Sequence, residues 1–209
     1  MPRPRSLTHP QIAAAALRVI DRDGLDALTM RTVAAELGMG TMSVYRYVTD
    51  RAQLEALMVD QVLGAVDMTV PEQPEAWTGR IEVLVERVRE SVGAHPAVAP
   101  LLLIHRHTST GSTRWGDTVL GVLADAGFSA EQRVVAFSAL LGYMLCALQV
   151  EHYRPLSGPG TAALAALDPS DYPHLAKTAA AAQHVSVDDE FLGGLRLLLR
   201  GLAAQLAET

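Results

Sequence analysis

Apolar residues recur at three- and four-residue spacing along nearly the whole chain, and the every-second-residue alternation of a half-buried strand is absent, so each long segment reads as a helix. Ile12, Ala15, Ala16, Val19 and Ile20 form the first stripe. Thr8-His-Pro-Gln11 opens it as a capping box with proline in the first turn, and Gly24 is placed to stop it. Val33 and Leu37 lie one turn apart on a second, short helix, Gly38 sits where a sharp turn needs positive φ, and Val44 and Val48 form the inner face of a third. Two short helices joined by a glycine turn, over about 29–48, make a helix-turn-helix. On its second helix Thr41, Met42, Ser43, Tyr45, Arg46 and Tyr47 are left to project away from the core. Asp50-Arg-Ala-Gln53 reads as another capping box, opening a helix that carries Leu54, Leu57, Met58, Val62 and Leu63.

Met68 to Glu75 holds two prolines and reads as a hinge, dividing the chain into 1–67 and 68–209. Ile81, Leu84, Val85, Val88 and Val92 stripe a long helix that His95-Pro96 ends, and Ala97 to Leu103 predicts a short apolar helix. A polar break at 108–113 precedes a helix bearing Val119, Leu120, Leu123 and Ala126, closed by Gly127. Ser129-Ala-Glu-Gln132 then caps a helix over 130–153. Arg154 to Thr161 reads as a proline-glycine loop. The last helix, about 187–207, starts near Ser186-Val-Asp-Asp189 and carries Phe191, Leu192, Leu195, Leu198, Leu199, Leu202 and Leu206. That is more apolar surface than one neighbour covers, and Gly193, Gly194 and Gly201 add a smooth stripe for a second helix. Two such helices from each of two chains make a four-helix bundle. The expected fold is therefore all-α: an N-terminal three-helix domain with the helix-turn-helix, followed by a helical domain.

Val134 to Val150 is almost unbroken apolar sequence, but it is shorter than the roughly 20 residues that hydrocarbon demands. Its soluble-type cap and closing Glu151 favour burial in a subunit interface over a membrane. No leader is read before the first helix, and the single cysteine, Cys146, suits a reducing cytoplasm. The net charge of −6 is uneven: residues 1–60 carry seven arginines and seven acids, so the acidic surplus lies beyond them and leaves the helix-turn-helix part free to approach a polyanion.

Leu28-Thr29, Arg31, Val33-Ala34, Leu37-Gly38, Val44-Tyr45-Arg46-Tyr47-Val48 and Arg51-Ala-Gln-Leu54, at these spacings, resemble the DNA-binding domain of the tetracycline-repressor (TetR) family. The resemblance covers residues 8 to about 66. Trp77, Ala94-His95, Gly127-Phe128-Ser129, Gly142, Glu151, Tyr172-Pro173 and Phe191-Leu192-Gly193-Gly194-Leu195 look similar to the regulatory domain of the tetracycline-responsive branch. It implies a homodimeric repressor that binds a palindromic operator in double-stranded DNA and is released by a small-molecule effector. The dimer would form through helices about 130–153 and 187–207. The recognition helix would use Thr41, Met42, Ser43, Tyr45, Arg46 and Tyr47, with Thr29, Arg31, Tyr45 and Arg51 on phosphates. Arg46 is the expected base reader, since arginine to guanine is the commonest specific contact. Arg3 and Arg5 are candidates for the minor groove.

The same resemblance assigns the effector to Val66, Leu84, Val88, Leu102, His105, Tyr143 and Glu151. Val66 and Leu102 stand where the tetracycline repressors carry histidines that bind drug and magnesium, so a more apolar effector is expected. His95, His105, His107 and His152 invite a metal or catalytic reading, but no His-x3-His or cysteine pair appears, and no nucleophile elbow, phosphate loop or dinucleotide fingerprint is present. No enzyme activity, cofactor or metal is expected. Two alternatives remain: a small-molecule-binding protein without operator specificity, and an activator.

Overall fold

The computed structural model describes residues 7–70, 76–153 and 155–207, and among these there is helix and no strand. The helices are α1 (His9–Asp23), α2 (Met30–Glu36), α3 (Thr41–Val44), α4 (Arg51–Gly64), α5 (Trp77–Gly93), α6 (Ala99–Ile104), α7 (Thr110–Asp125), α8 (Ala130–Tyr153), α9 (Pro159–Ala165), α10 (Pro173–Ala182) and α11 (Val187–Ala207). Short 3-10 turns at Leu25–Ala27 and Pro96–Val98 lead towards α2 and α6.

The predicted starts are held by side chains. Thr8 and Gln11 form the reciprocal cap of α1, and Ser129 with Gln132 does the same for α8. Asp50 accepts from the Gln53 N–H at 2.8 Å, but the Gln53 side chain reaches one residue further back, to Thr49 N–H at 2.7 Å, so the expected box at α4 is only half made. The expected polar break at 108–113 is made only at its start: Thr108 and Ser109 lie in the turn that follows α6, and α7 already runs from Thr110, with Ser109 Oγ accepting from Ser112 N–H at 3.1 Å at its head.

The chain forms two compact units, Met1–Glu72 with Val83–Val122, and Gln73–Glu82 with Leu123–Thr209. In the first, α1 packs along α4, with Ile12, Ile20, Leu54 and Met58 excluded from solvent. Arg87 on α5 reaches the segment after α4, donating to the carbonyls of Asp67 and Thr69 at 2.9 and 2.6 Å. The start of the predicted hinge is thereby tied down, and its residues 71–75 lie outside the described residues.

In the second unit α8 packs on α11, burying Ala136, Leu140, Met144 and Leu148 against Phe191, Leu195, Leu199 and Leu202. The α8 surface left over is apolar, with Val134 and Val135 more than 60% exposed, as is Leu197 on α11. By length and composition α8 could cross a membrane, and most of it is not buried within this chain. Gly194 does not belong to an open stripe. A Cβ there would lie 2.8 Å from Cε2 and Cζ of Tyr143, so this glycine admits the chain's own α8, whereas Gly193 and Gly201 face nothing within 4 Å. Helices α9 and α10, which pack on each other, have no counterpart in the hydrophobic pattern.

Candidate nucleic-acid interface and effector cavity

Gly38 adopts φ +68° between α2 and α3, the left-handed conformation that favours glycine. Thr29 caps α2 in a box with Thr32, each hydroxyl accepting from the other's N–H at 3.0 Å. Only Thr41–Val44 is α-helical in the recognition element, and Tyr47 and Val48 N–H continue it by donating to the Val44 carbonyl. Val44 and Val48 are fully buried, which turns the other face outward. Met42 is 76% exposed, Tyr45 and Arg46 are exposed, and Thr41, Ser43 and Tyr47 are half-buried. The end of the element is held from α1, where His9 Nε2 donates to the Tyr47 carbonyl at 3.0 Å.

Internal pairing sorts the arginines. Arg18 and Arg22 bind Glu36 at 2.8 and 3.0 Å, and Arg22 also binds Asp23. The two guanidinium hydrogen bonds hold the Glu36 carboxyl below the ordinary carboxylate range. Arg51 is engaged as well: Nε donates to Glu55 at 2.7 Å, and its terminal nitrogens donate to the carbonyls of Leu28 and Leu25 at 3.1 and 3.4 Å. Its fork is spent inside the protein, so a phosphate would share it with these partners. Arg31 and Arg46, both exposed, have no internal partner among the described residues, and Arg3 and Arg5 lie outside those residues. Arg31 on α2, and Met42 and Arg46 on the recognition element, are thus the exposed side chains of a set that can contact phosphates, a guanine edge and a thymine methyl.

The residues expected at the effector divide between the units. Val66, Leu84, Val88, Leu102 and His105 are buried in the first, where His105 Nε2 donates to Glu55 at 3.0 Å. Tyr143 and Glu151 line a cavity of about 260 Å³ between α8 and α11 of the second unit, with Ala147, Val150, Glu190 and Phe191. The Tyr143 hydroxyl donates to the Phe191 carbonyl at 2.6 Å. Burial, with the Glu151 charge added, pushes the Glu190 carboxyl up. Sequence reasoning missed Glu190 and Phe191. The signal was present, because 143, 147 and 150 on α8 and 187, 190, 191 and 194 on α11 each follow the spacing of one helical face. Among the described residues no three His, Cys, Asp or Glu side chains converge as a metal site would require.

Residues 12–55 match the family described as bacterial regulatory proteins, tetR family, and residues 70–206 match the tetracyclin repressor-like C-terminal domain. The chain is 29% identical over 153 residues to the HTH-type transcriptional repressor DrrR1 of Streptomyces coeruleorubidus, a match taking in 73% of this chain and 56% of that protein's own length. It is 28% identical over 205 residues to the tetracycline repressor protein class D of Escherichia coli, covering 96% of this chain and 91% of that one. Among solved structures, ActR of Streptomyces coelicolor in complex with actinorhodin superimposes with a TM-score of 0.82 at 25% identity, over 97% of this chain and 98% of that one.

Proposed function

We propose, for a chain that belongs to the tetR family of bacterial regulatory proteins, the action of a cytoplasmic repressor that a small, largely apolar effector releases from its operator. Residues 1–67 serve as the DNA-reading part and 68–209 as the part that binds the effector and forms the homodimer. One observation carries the DNA reading: internal ion pairs consume Arg18, Arg22 and Arg51, whereas Arg31 and Arg46 are exposed, as is Met42. Arg46 reads a guanine edge, Arg31 and the exposed end of α2 at Thr29 meet phosphates, and Met42 and Tyr45 supply apolar contact in the major groove.

The exposed Val134, Val135 and Leu197 support a dimer through α8 and α11, a two-fold arrangement that buries one patch against its own copy. Two recognition helices then meet successive major grooves, with half-sites about 10 base pairs apart. The apolar cavity beside Tyr143 and Glu151 supports the effector reading, as does the actinorhodin complex of ActR. An effector that prefers the released state weakens operator binding by its differential affinity, and coupling of about 1–3 kcal/mol corresponds to roughly 5–150-fold.

Selection of bound sequences from a random duplex pool at moderate salt tests the reading, because phosphate attraction alone enriches nothing. The expected product is a palindrome, and a reporter driven from it separates repression from activation. No enrichment would move the protein to a small-molecule-binding role without operator specificity.

A further inference from the structure

Two carboxylates on α4 hold one corner of the chain, and only one of them also reaches the reading head. Asp60 Oδ1 accepts from the Ser109 hydroxyl at 2.7 Å and from Gly111 N–H at 3.0 Å, its partners among the described residues. Glu55 is engaged on both oxygens: Oε1 accepts from Arg51 Nε at 2.7 Å and Oε2 from His105 Nε2 at 3.0 Å. Arg51 then donates to the carbonyls of Leu28 and Leu25, in the turn that ends where Thr29 caps α2. A continuous line of hydrogen bonds therefore runs from the corner between α6 and α7 to the backbone that carries Thr29 and Arg31.

The middle of this line is shielded, with the His105 and Glu55 side chains 7% and 12% exposed. Burial alone would raise the Glu55 carboxyl, but the hydrogen bonds from Arg51 and His105, with their charges, outweigh it and hold the group below the ordinary carboxylate range. A shielded charge with two donors resists rearrangement, because withdrawing one donor leaves a buried carboxylate short of a partner.

We infer that Glu55 is a positioning residue for operator binding, through which the α6–α7 corner at His105 orients Arg51 and the turn leading into α2, while the Asp60 clamp holds the same corner without that effect. The inference rests on the operator-binding reading for its consequence, but the coupling itself is measurable without DNA.

Hydrogen exchange on the full-length protein tests the coupling. His105→Leu and Glu55→Gln should each speed exchange of the amides over 25–32, whereas Ser109→Ala should speed it only around 105–115. Exchange over 25–32 equal to wild type in both variants would overturn the inference, whatever happens at the operator. On the duplex that the wild-type protein enriches, both variants should bind on the order of tenfold more weakly, the weight of one charge-assisted hydrogen bond. His105→Gln, which keeps an N–H donor towards the carboxylate, should recover most of that loss, and Ser109→Ala should bind as wild type does. Equal affinity in all variants, or an equal loss in Ser109→Ala, would reduce Glu55 to a fold-stabilising contact. A wild-type protein that enriches no duplex would instead end the operator reading and leave the exchange result to decide the relay.

Discussion

Replacing Gly194 by alanine sets two opposing effects against each other in one helix. The new Cβ would stand 2.8 Å from Cε2 and Cζ of Tyr143, with Oη nearer still, so the tyrosine must move. Its hydroxyl donates to the Phe191 carbonyl at 2.6 Å, and its ring sits 6.1 Å from the Phe191 ring. The cavity alongside gives the ring somewhere to go, but the hydrogen bond is lost on the way. That loss costs about 0.5–1.5 kcal/mol, and an off-rotamer ring adds about 0.5–1.5 kcal/mol. Alanine in place of glycine in a helix interior returns about 1 kcal/mol, leaving a net destabilisation of up to about 2 kcal/mol.

Gly121→Ala in α7 is the control, since a Cβ there meets nothing within 4 Å and only the propensity gain of about 1 kcal/mol remains. Urea midpoints at one fixed protomer concentration should move in opposite directions for the two variants, with light scattering giving the same mass for both. In a Tyr143→Ala background the penalty should vanish and Gly194→Ala should stabilise as Gly121→Ala does. A Gly194→Ala protein as stable as Gly121→Ala would refute the clash, and a monomer with an unchanged midpoint would return Gly194 to an interface between chains.

Arg46→Ala should erase discrimination at one base pair per half-site, worth about 1–3 kcal/mol, while the dimer persists; unchanged ranking of operator variants would remove its assigned role. Leu197→Glu places a charge on an exposed apolar position of α11 and should yield monomers in light scattering, and a retained dimer mass would put the interface elsewhere. Glu190 is raised in the folded protein by burial and by the Glu151 charge, so its ionisation costs the native state and stability falls as pH rises through the folded value. Glu190→Gln should therefore raise Tm at pH 7, with the gain fading once the pH is below the ordinary value of 4.5, and a gain that does not fade would point to packing instead of charge.

What was legible in the sequence depends on range along the chain. The cap of α1 at Thr8 and Gln11, the turn at Gly38 and the start of α8 at Ser129 and Gln132 are set by groups a few residues apart, so the sequence alone determined them, and with them the helix-turn-helix. Helices α9 and α10 escaped because their alanine-rich faces bury little and leave no stripe to read. Seven arginines before residue 60 are equivalent until Glu36, 14 and 18 residues from Arg22 and Arg18, takes those two out of play. Gly194 looked like an open stripe until α8 packed against it, and the hydrogen bond that His105 donates to Glu55, 50 residues away, leaves no trace in the pattern. Local hydrogen bonds and helical periodicity are written in short windows of sequence. Which charge is spent inside and which is left for DNA depends on contacts between distant segments, and those exist only once the helices have packed.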